Sequence, residues 1–357
     1  MTLSSIGWND FFEQAFSPFR ENRLLPARVA LQHRNYYVMY SEHGELRGET
    51  TGKMQYMASG PQDLPAVGDW VVIDPRPDEG TATIIDILPR RTKFSRQAAG
   101  RKAEEQIVAA NVDWVFIVSG LDHDFNLRRL ERYLVLASES GASPVVLLNK
   151  ADICKDPNGA RQEVAAINSH APIHVLSALR NEGIGVIQDY LRNGATGALL
   201  GSSGVGKTTI INKLLGTDER ATAPVREADD RGRHTTSARE LIPLPTGGML
   251  IDTPGMRELQ LWGSPDAVSE IFDDIEAIAE NCRFRDCSHE VEPGCAVQEA
   301  LEQGTIDGGR FESYRKLLRE LKYQQRKHDP MEQRKEKERW KKIMSDYKRN
   351  KKKKGKP

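Results

Sequence analysis

The chain has 357 residues, with 51 Lys+Arg balanced by 51 Asp+Glu and only four cysteines, a length for two or three domains and too few thiols for a disulfide-built scaffold. The zero net charge is uneven: residues 311–357 carry 19 basic against 7 acidic side chains, a net of +12, and the remainder carries 32 against 44, a net of −12. There is no run of about twenty apolar residues, which argues against a membrane span.

Near the N-terminus, Trp8, Phe11, Phe12, Ala15, Phe16 and Phe19 recur at helical spacing. Asp10, Glu13 and the lack of a basic start set this segment apart from a targeting peptide. Aromatic stripes usually bury themselves, so the spacing predicts a helix packed on the next unit in preference to one that binds a partner. Runs at 27–31, 36–40, 45–52, 70–74 and 81–88 predict five short strands, separated by turns such as His43-Gly44 and Val67-Gly68-Asp69. Such a set suits a small barrel, of which the OB-fold is one kind. Arg90, Arg91, Lys93 and Arg96 then offer either a phosphate-contacting edge for RNA or a solvated linker face.

From residue 114 strands and helices alternate, with strands expected at 114–118, 145–148 and 173–176 and helices at 127–138 and 161–168. That alternation predicts a doubly wound α/β sheet. The second strand delivers Asn149-Lys150-Ala151-Asp152 to its C-terminal end, the edge where such sheets bind ligands. The Asp152 carboxylate can accept hydrogen bonds from the guanine N1–H and exocyclic amine, and adenine presents neither group there. Asn149 and Lys150 would hold the ring. Ser177-Ala178, after the third strand, could offer a backbone N–H to the guanine carbonyl. Cys154 stands alone beside the base-reading loop and reads as a free thiol.

An apolar run at 197–200 leads into Gly201-Ser202-Ser203-Gly204-Val205-Gly206-Lys207-Thr208-Thr209, and Ile210, Ile211, Leu214 and Leu215 continue it as a helix. Strand, glycine-rich loop, Lys-Thr and helix together separate this segment from a merely flexible Gly/Ser turn. Its backbone N–H groups can turn inward around phosphate oxygens, Lys207 can reach the β/γ-phosphates, and Thr208 offers a hydroxyl to Mg²⁺. The polar stretch 219–240 predicts a switch loop carrying Gly232-Arg233-His234-Thr235-Thr236, in which one of Thr235 or Thr236 completes the Mg²⁺ shell. The run 249–251 ends at Asp252, a water-mediated Mg²⁺ ligand by position, and Gly255 can bring its N–H to the γ-phosphate. Met256 follows, where many GTPases place a water-orienting glutamine, and a thioether cannot orient water. Either hydrolysis is slow and awaits a partner, or another group substitutes, with His234 the nearest by sequence.

Cys282, Cys287, His289 and Cys295 fall within fourteen positions. Three thiolates and one imidazole make a closed tetrahedral site for structural Zn²⁺, whereas a disulfide would leave an odd thiol. Beyond them, Leu317, Leu318 and Leu321 lie in helical register, Pro330 interrupts, and Lys351, Lys352, Lys353 and Lys354 end a basic tail. The tail suits salt-sensitive contact with RNA phosphates, or is a solvated helix with a disordered end; it lacks the apolar face needed to anchor on a membrane.

The base-reading segment precedes the phosphate-binding segments, the reverse of the ordinary order. That order, the Gly-Arg-His-Thr-Thr switch, Asp252-Thr253-Pro254-Gly255 followed by Met256 and Arg257-Glu258, and the Cys-x4-Cys-x-His-x5-Cys cluster resemble the RsgA/YjeQ family of circularly permuted bacterial GTPases, over roughly residues 24–325. The resemblance implies an OB-fold, a permuted GTPase and a zinc domain. It also implies binding to the small ribosomal subunit and its rRNA in late maturation, with GTP hydrolysis to GDP stimulated by that subunit. The expected organisation is α/β with a β-barrel: a helical extension at 1–22, an OB-fold-like barrel at 23–95, the permuted GTPase at 96–262, a mainly helical zinc domain at 263–328 and the basic tail at 329–357. A cytoplasmic monomer without membrane association is expected. Because only residues 256–263 separate the last switch from the zinc domain, a γ-phosphate signal is expected to pass directly along them. The competing class, kept open by Met256, is a nucleotide-gated RNA-binding scaffold with incidental hydrolysis; Asp152 argues against an ATP-dependent kinase or ATPase.

Overall fold

The computed structural model describes residues 1–97, 105–168, 171–217, 239–252, 261 and 265–328. The five expected strands are β1 (Leu25–Gln32), β2 (Tyr37–Ser41), β3 (Gly44–Thr50), β4 (Trp70–Arg76) and β5 (Thr81–Ile87). They pair in the cyclic order β1-β2-β3-β5-β4-β1, with β3 and β5 parallel and the other neighbours antiparallel. Closure protects the strand edges that an open five-stranded sheet would expose. Val29, Met39, Leu46, Val71, Ile73 and Ile84 fill the barrel interior. Register shifts at Val29/Leu31 and Val72/Ile73 mark bulges that help a short sheet curl shut.

The N-terminal aromatic segment forms α1 (Asp10–Phe16), whose first turn is capped by the Asn9 side chain accepting from the Phe11 N–H. Trp8 meets Trp70 of β4 edge-on at 4.7 Å between ring centroids, and Phe12 lies 5.7 Å from the same ring. The stripe therefore packs on the barrel; Phe11 is the member left exposed. The buried guanidinium of Arg28 locks this junction by donating to Ile6 O, Gly68 O and Asn111 O. A separate hairpin, β6 (Lys93–Gln97) with β7 (Glu105–Ala110), was not anticipated from the sequence.

The central sheet contains β8 (Trp114–Gly120), β9 (Ser143–Asn149), β10 (Ile173–Val175), β11 (Thr196–Leu200), β12 (Glu240–Pro243) and β13 (Met249–Asp252). Its order is β10-β9-β8-β11-β13-β12, parallel except for β12, and β12 also touches β1 of the barrel through Leu31 and Glu240. Val115, Ile117, Val146, Leu148, Ala198 and Leu200 share a core with α3 (Leu127–Ser140) and α4 (Pro157–Ile167). Their neighbours in sequence, Phe116, Val118, Val145, Leu147 and Leu199, pack with α5 (Gly185–Tyr190) and α6 (Lys207–Leu215). Both faces are thus covered, which explains why the strands read as continuous apolar runs.

The C-terminal helices are α7 (Asp266–Ile271), α8 (Asp273–Ala279), α9 (Ala296–Glu302) and α10 (Gly308–His328). Val268, Phe272, Ile275, Val297, Tyr314, Leu317 and Leu321 belong to the same buried cluster as Leu130 and Leu134 of α3. The helical unit is therefore docked on the α3 side of the sheet. None of the described helices is long and apolar enough to cross a membrane.

Candidate functional site

Parallel pairing places the C-terminal ends of β8, β9, β10, β11 and β13 on one edge, and the candidate residues leave from there. Gly201, Gly204 and Gly206 all have positive φ, at 159°, 78° and 100°. A Cβ at Gly206 would lie 2.3 Å from Asn149 Nδ2, so glycine here meets both a backbone and a packing need. Gly206 is also the N-cap of α6, and Lys207, Thr208 and Thr209 form its first turn, where backbone N–H groups lack helical acceptors.

The buried Asn149 amide joins three loops. Its Nδ2 donates to Val205 O at 2.7 Å in the phosphate-type loop, and its Oδ1 accepts the Ala178 N–H at 2.9 Å. The N–H that Ala178 could offer to a guanine carbonyl is thus turned towards Asn149. Ser177 Oγ donates to Asp152 Oδ1 at 2.6 Å and accepts the Arg180 N–H at 3.2 Å, which fixes the Asp152 carboxylate on its loop. Lys150, at φ 67°, donates from Nζ to Asp122 Oδ2 at 2.5 Å. Burial is the largest single influence on Asp122 and opposes its charge, but the Lys150 bond, the Asp124 N–H and the neighbouring Lys150 and His123 charges together outweigh it and hold the carboxyl below the ordinary aspartate range. Lys207 Nζ donates to Gly201 O at 2.8 Å and Ser202 O at 2.5 Å, so its charge sits within the loop it serves. Asp252 ends β13 on the same edge, paired in register with Glu240.

Sequence reasoning missed Asp122, Asp124 and Arg129. Arg129 Nη1 donates to Asp124 Oδ2 and to Ser202 Oγ, both at 2.5 Å, and Ser202 Oγ donates to Asp124 Oδ2 at 2.8 Å. For Asp124, burial is again outweighed by its hydrogen bonds from Arg129 and Ser202, and its carboxyl lies below the usual range. The available signal was position: two aspartates directly after strand 114–120, at the edge that binds ligands in such sheets. The expectations for His234, Thr235, Thr236, Thr253, Gly255 and Met256, for the connecting segment 256–263 apart from Leu261, and for the tail at 329–357 lie outside the described residues.

Of the basic run at 90–96, Arg90 is committed internally. It grips Asp69 with two bonds of 2.7 Å and donates to Gln62 O and Leu64 O. Arg91 pairs with Asp113 at 3.3 Å and Lys93 with Glu105, across the β6–β7 pair, at 2.8 Å, so these cations also have internal partners.

Cys282, Cys287, His289 and Cys295 converge with their candidate ligand atoms all within 4.8 Å of one another. Cys282 Sγ lies 3.9 Å from Cys295 Sγ, and His289 Nδ1 lies 3.6 Å and 3.4 Å from those sulfurs. Two sulfurs at about 2.3 Å from a tetrahedral zinc would be about 3.8 Å apart, so the donors fit a metal ion. All four cysteines, Cys154 included, are free thiols, which removes the disulfide alternative. Burial lowers the His289 pKa and favours the neutral imidazole that a metal requires.

Residues 87–262 match the family model described as RsgA GTPase. Over 352 residues, 96% of each chain, the sequence is 52% identical to a small ribosomal subunit biogenesis GTPase RsgA of Opitutus terrae. Among solved structures it is similar to YjeQ of Thermotoga maritima, with a TM-score of 0.63 and 27% identity over 84% of this chain and 98% of that one. It shares its fold with YloQ, described as a circularly permuted GTPase, at a TM-score of 0.59 and 22% identity over 84% of this chain and 96% of that one. With a phosphate-type loop and a base-reading loop joined at one sheet edge in permuted order, and with identity of this extent, the chain belongs to the RsgA GTPase family.

Proposed function

We propose that this protein is a GTP-hydrolysing assembly factor that acts late in small ribosomal subunit maturation, its hold on the subunit and rRNA set by nucleotide state and its hydrolysis stimulated there. The observation that carries the GTP-binding reading is the Asn149 amide, which locks the 149–152 loop to Val205 and Ala178, so base and phosphate recognition form one rigid unit. Asp152, oriented by Ser177, accepts from the guanine edge, while the Lys150 stem, steadied by Asp122, lines the ring. Bound phosphates draw the Lys207 ammonium off the Gly201 and Ser202 carbonyls and engage the N–H groups of 202–208. Thr208, one of Thr235 or Thr236, and Asp252 through water would hold Mg²⁺, which neutralises developing phosphate charge. Gly255 meets the γ-phosphate, and His234 orients water in place of the residue that Met256 displaces.

The proposed units are those set out above, 1–22, 23–95, 96–262, 263–328 and 329–357, in a cytoplasmic monomer whose basic tail meets rRNA. GTP turnover with and without purified small subunits tests this function. Strong stimulation is the expected result; tight GTP-dependent binding without stimulation would favour the scaffold reading, and indifference to the guanine base would overturn both.

The Cys282, Cys287, His289 and Cys295 site is proposed to hold one structural Zn²⁺. Metal analysis should find one zinc per chain, and Cys287→Ser should lower that content several-fold while opening residues 280–296 to protease. Full zinc content in Cys287→Ser would contradict the ligand set.

A further inference from the structure

Helix α3 starts beside the phosphate loop and ends against the C-terminal helices. Its Asn126 cap accepts from the Arg129 N–H at 3.0 Å, while the Arg129 guanidinium bridges Asp124 and Ser202. Ser202 carries two messages at once: its hydroxyl is held by Asp124 and Arg129, and its carbonyl by the Lys207 ammonium. Any phosphate that recruits Lys207 therefore changes the balance of charge at the residue that α3 grips.

Residues three and four apart share a helix face, and Arg128, Glu131 and Arg132 are so related. Arg129 lies about 100° round from Arg128 and faces the loop instead. On the shared face, Glu131 Oε1 accepts from Arg128 at 2.5 Å and from Arg310 of α10 at 3.0 Å. Arg132 clasps Glu320 of α10 with two bonds, 2.6 Å and 2.7 Å. Arg310 continues to Asp274 of α8, at 2.8 Å and 2.7 Å, and to Ile271 O at the end of α7, at 2.9 Å. The Glu131 side chain is 0% exposed and that of Arg310 7%, so the pair cannot exchange freely for water, and α10 must follow α3 as one body.

We propose that α3 is a strut between nucleotide and the C-terminal helical unit, with Arg129 and Asp124 positioning the phosphate loop through Ser202 and the Arg310–Glu131 and Arg132–Glu320 pairs carrying its state to α10. This rests on reading 201–208 as a GTP phosphate loop, and it gives the signal a route that does not need the 256–263 connection.

Hydrogen exchange of the full chain, bound to GDP or to a non-hydrolysable GTP analogue, tests the strut. Amides of 308–321 should differ between the two states by about fivefold or more, the scale of a typical allosteric coupling. Arg129→Ala and, independently, Ser202→Ala should reduce that difference to less than about twofold, while Arg129→Lys, which keeps the charge and one donor nitrogen in place of the Nη1 that bridges Asp124 and Ser202, should retain part of it. By linkage, Glu320→Gln should shift the ratio of analogue to GDP affinity by a similar factor. Failure of the wild-type chain to bind guanine nucleotide would sink the GTPase reading and the strut together. Normal binding with no nucleotide effect on 308–321, or an effect that survives in Ser202→Ala, would overturn the strut alone.

Discussion

Replacing Asp152 with alanine should weaken GTP binding by about 10²–10³-fold with little change in folding. Each hydrogen bond to a charged group is worth about 1.5–3 kcal/mol, and losing two, after partial compensation by water, costs about 3–4 kcal/mol. The variant should not destabilise the loop greatly, because the Asn149 brace to Val205 and Ala178 remains. Asp152→Asn offers a sharper arm. An amide can accept from the N1–H of xanthine and donate to its C2 carbonyl, whereas its N–H group opposes the guanine amine. Preference should therefore pass from guanine towards xanthine nucleotides. Titration with fluorescent nucleotides checks both variants, and GTP binding by Asp152→Ala within about fivefold of the parent would remove Asp152 from base reading.

Arg310→Ala should destabilise the folded chain by about 3–5 kcal/mol, the usual cost of removing one partner of a buried ion pair. The guanidinium makes five polar contacts, to Asp274, Glu131, Ile271 O and Ile167 O, and lies 4.6 Å over the Phe272 ring. Lysine in its place keeps the charge but cannot fork, so Arg310→Lys should recover only a minor part. Burial already pushes the Glu131 carboxyl above its ordinary range despite Arg128 and Arg310 beside it. A raised carboxyl stabilises the fold below its unfolded value of about 4.3 and loses that contribution as pH rises, so the Arg310→Ala deficit should widen between about pH 5 and 8. Urea unfolding measures it as a lower midpoint, and a loss under about 1 kcal/mol would show that the network contributes little to the docking of α10.

What could be read before the structure was short in range. The strands at 27–31 and 81–88 and the helix at 127–138 follow from periodicity between neighbours, and β1, β5 and α3 occupy those places. Glycines 201, 204 and 206 mark a loop because only glycine adopts those φ angles readily. Three cysteines and a histidine within fourteen positions cannot be far apart in any compact fold, and their donor atoms do converge. By contrast, Arg129 meets Ser202 across 73 positions and Arg310 meets Glu131 across 179. Charged side chains are common on helices, and no local pattern distinguishes a solvated arginine from one that will be buried.

The amino-acid sequence by itself determined which groups are on offer: a carboxylate and a glycine-rich loop following strands of the central sheet, and three cysteines with a histidine in the C-terminal unit. Only the tertiary structure decided that Asn149 would brace three loops instead of standing free, that Arg90 would be spent on Asp69, and that α3 would join the phosphate loop to α10. The reason is the range of the forces. Backbone conformation and ligand spacing are set by adjacent residues, whereas the partner of a buried charge is chosen by which distant surfaces pack together and exclude water.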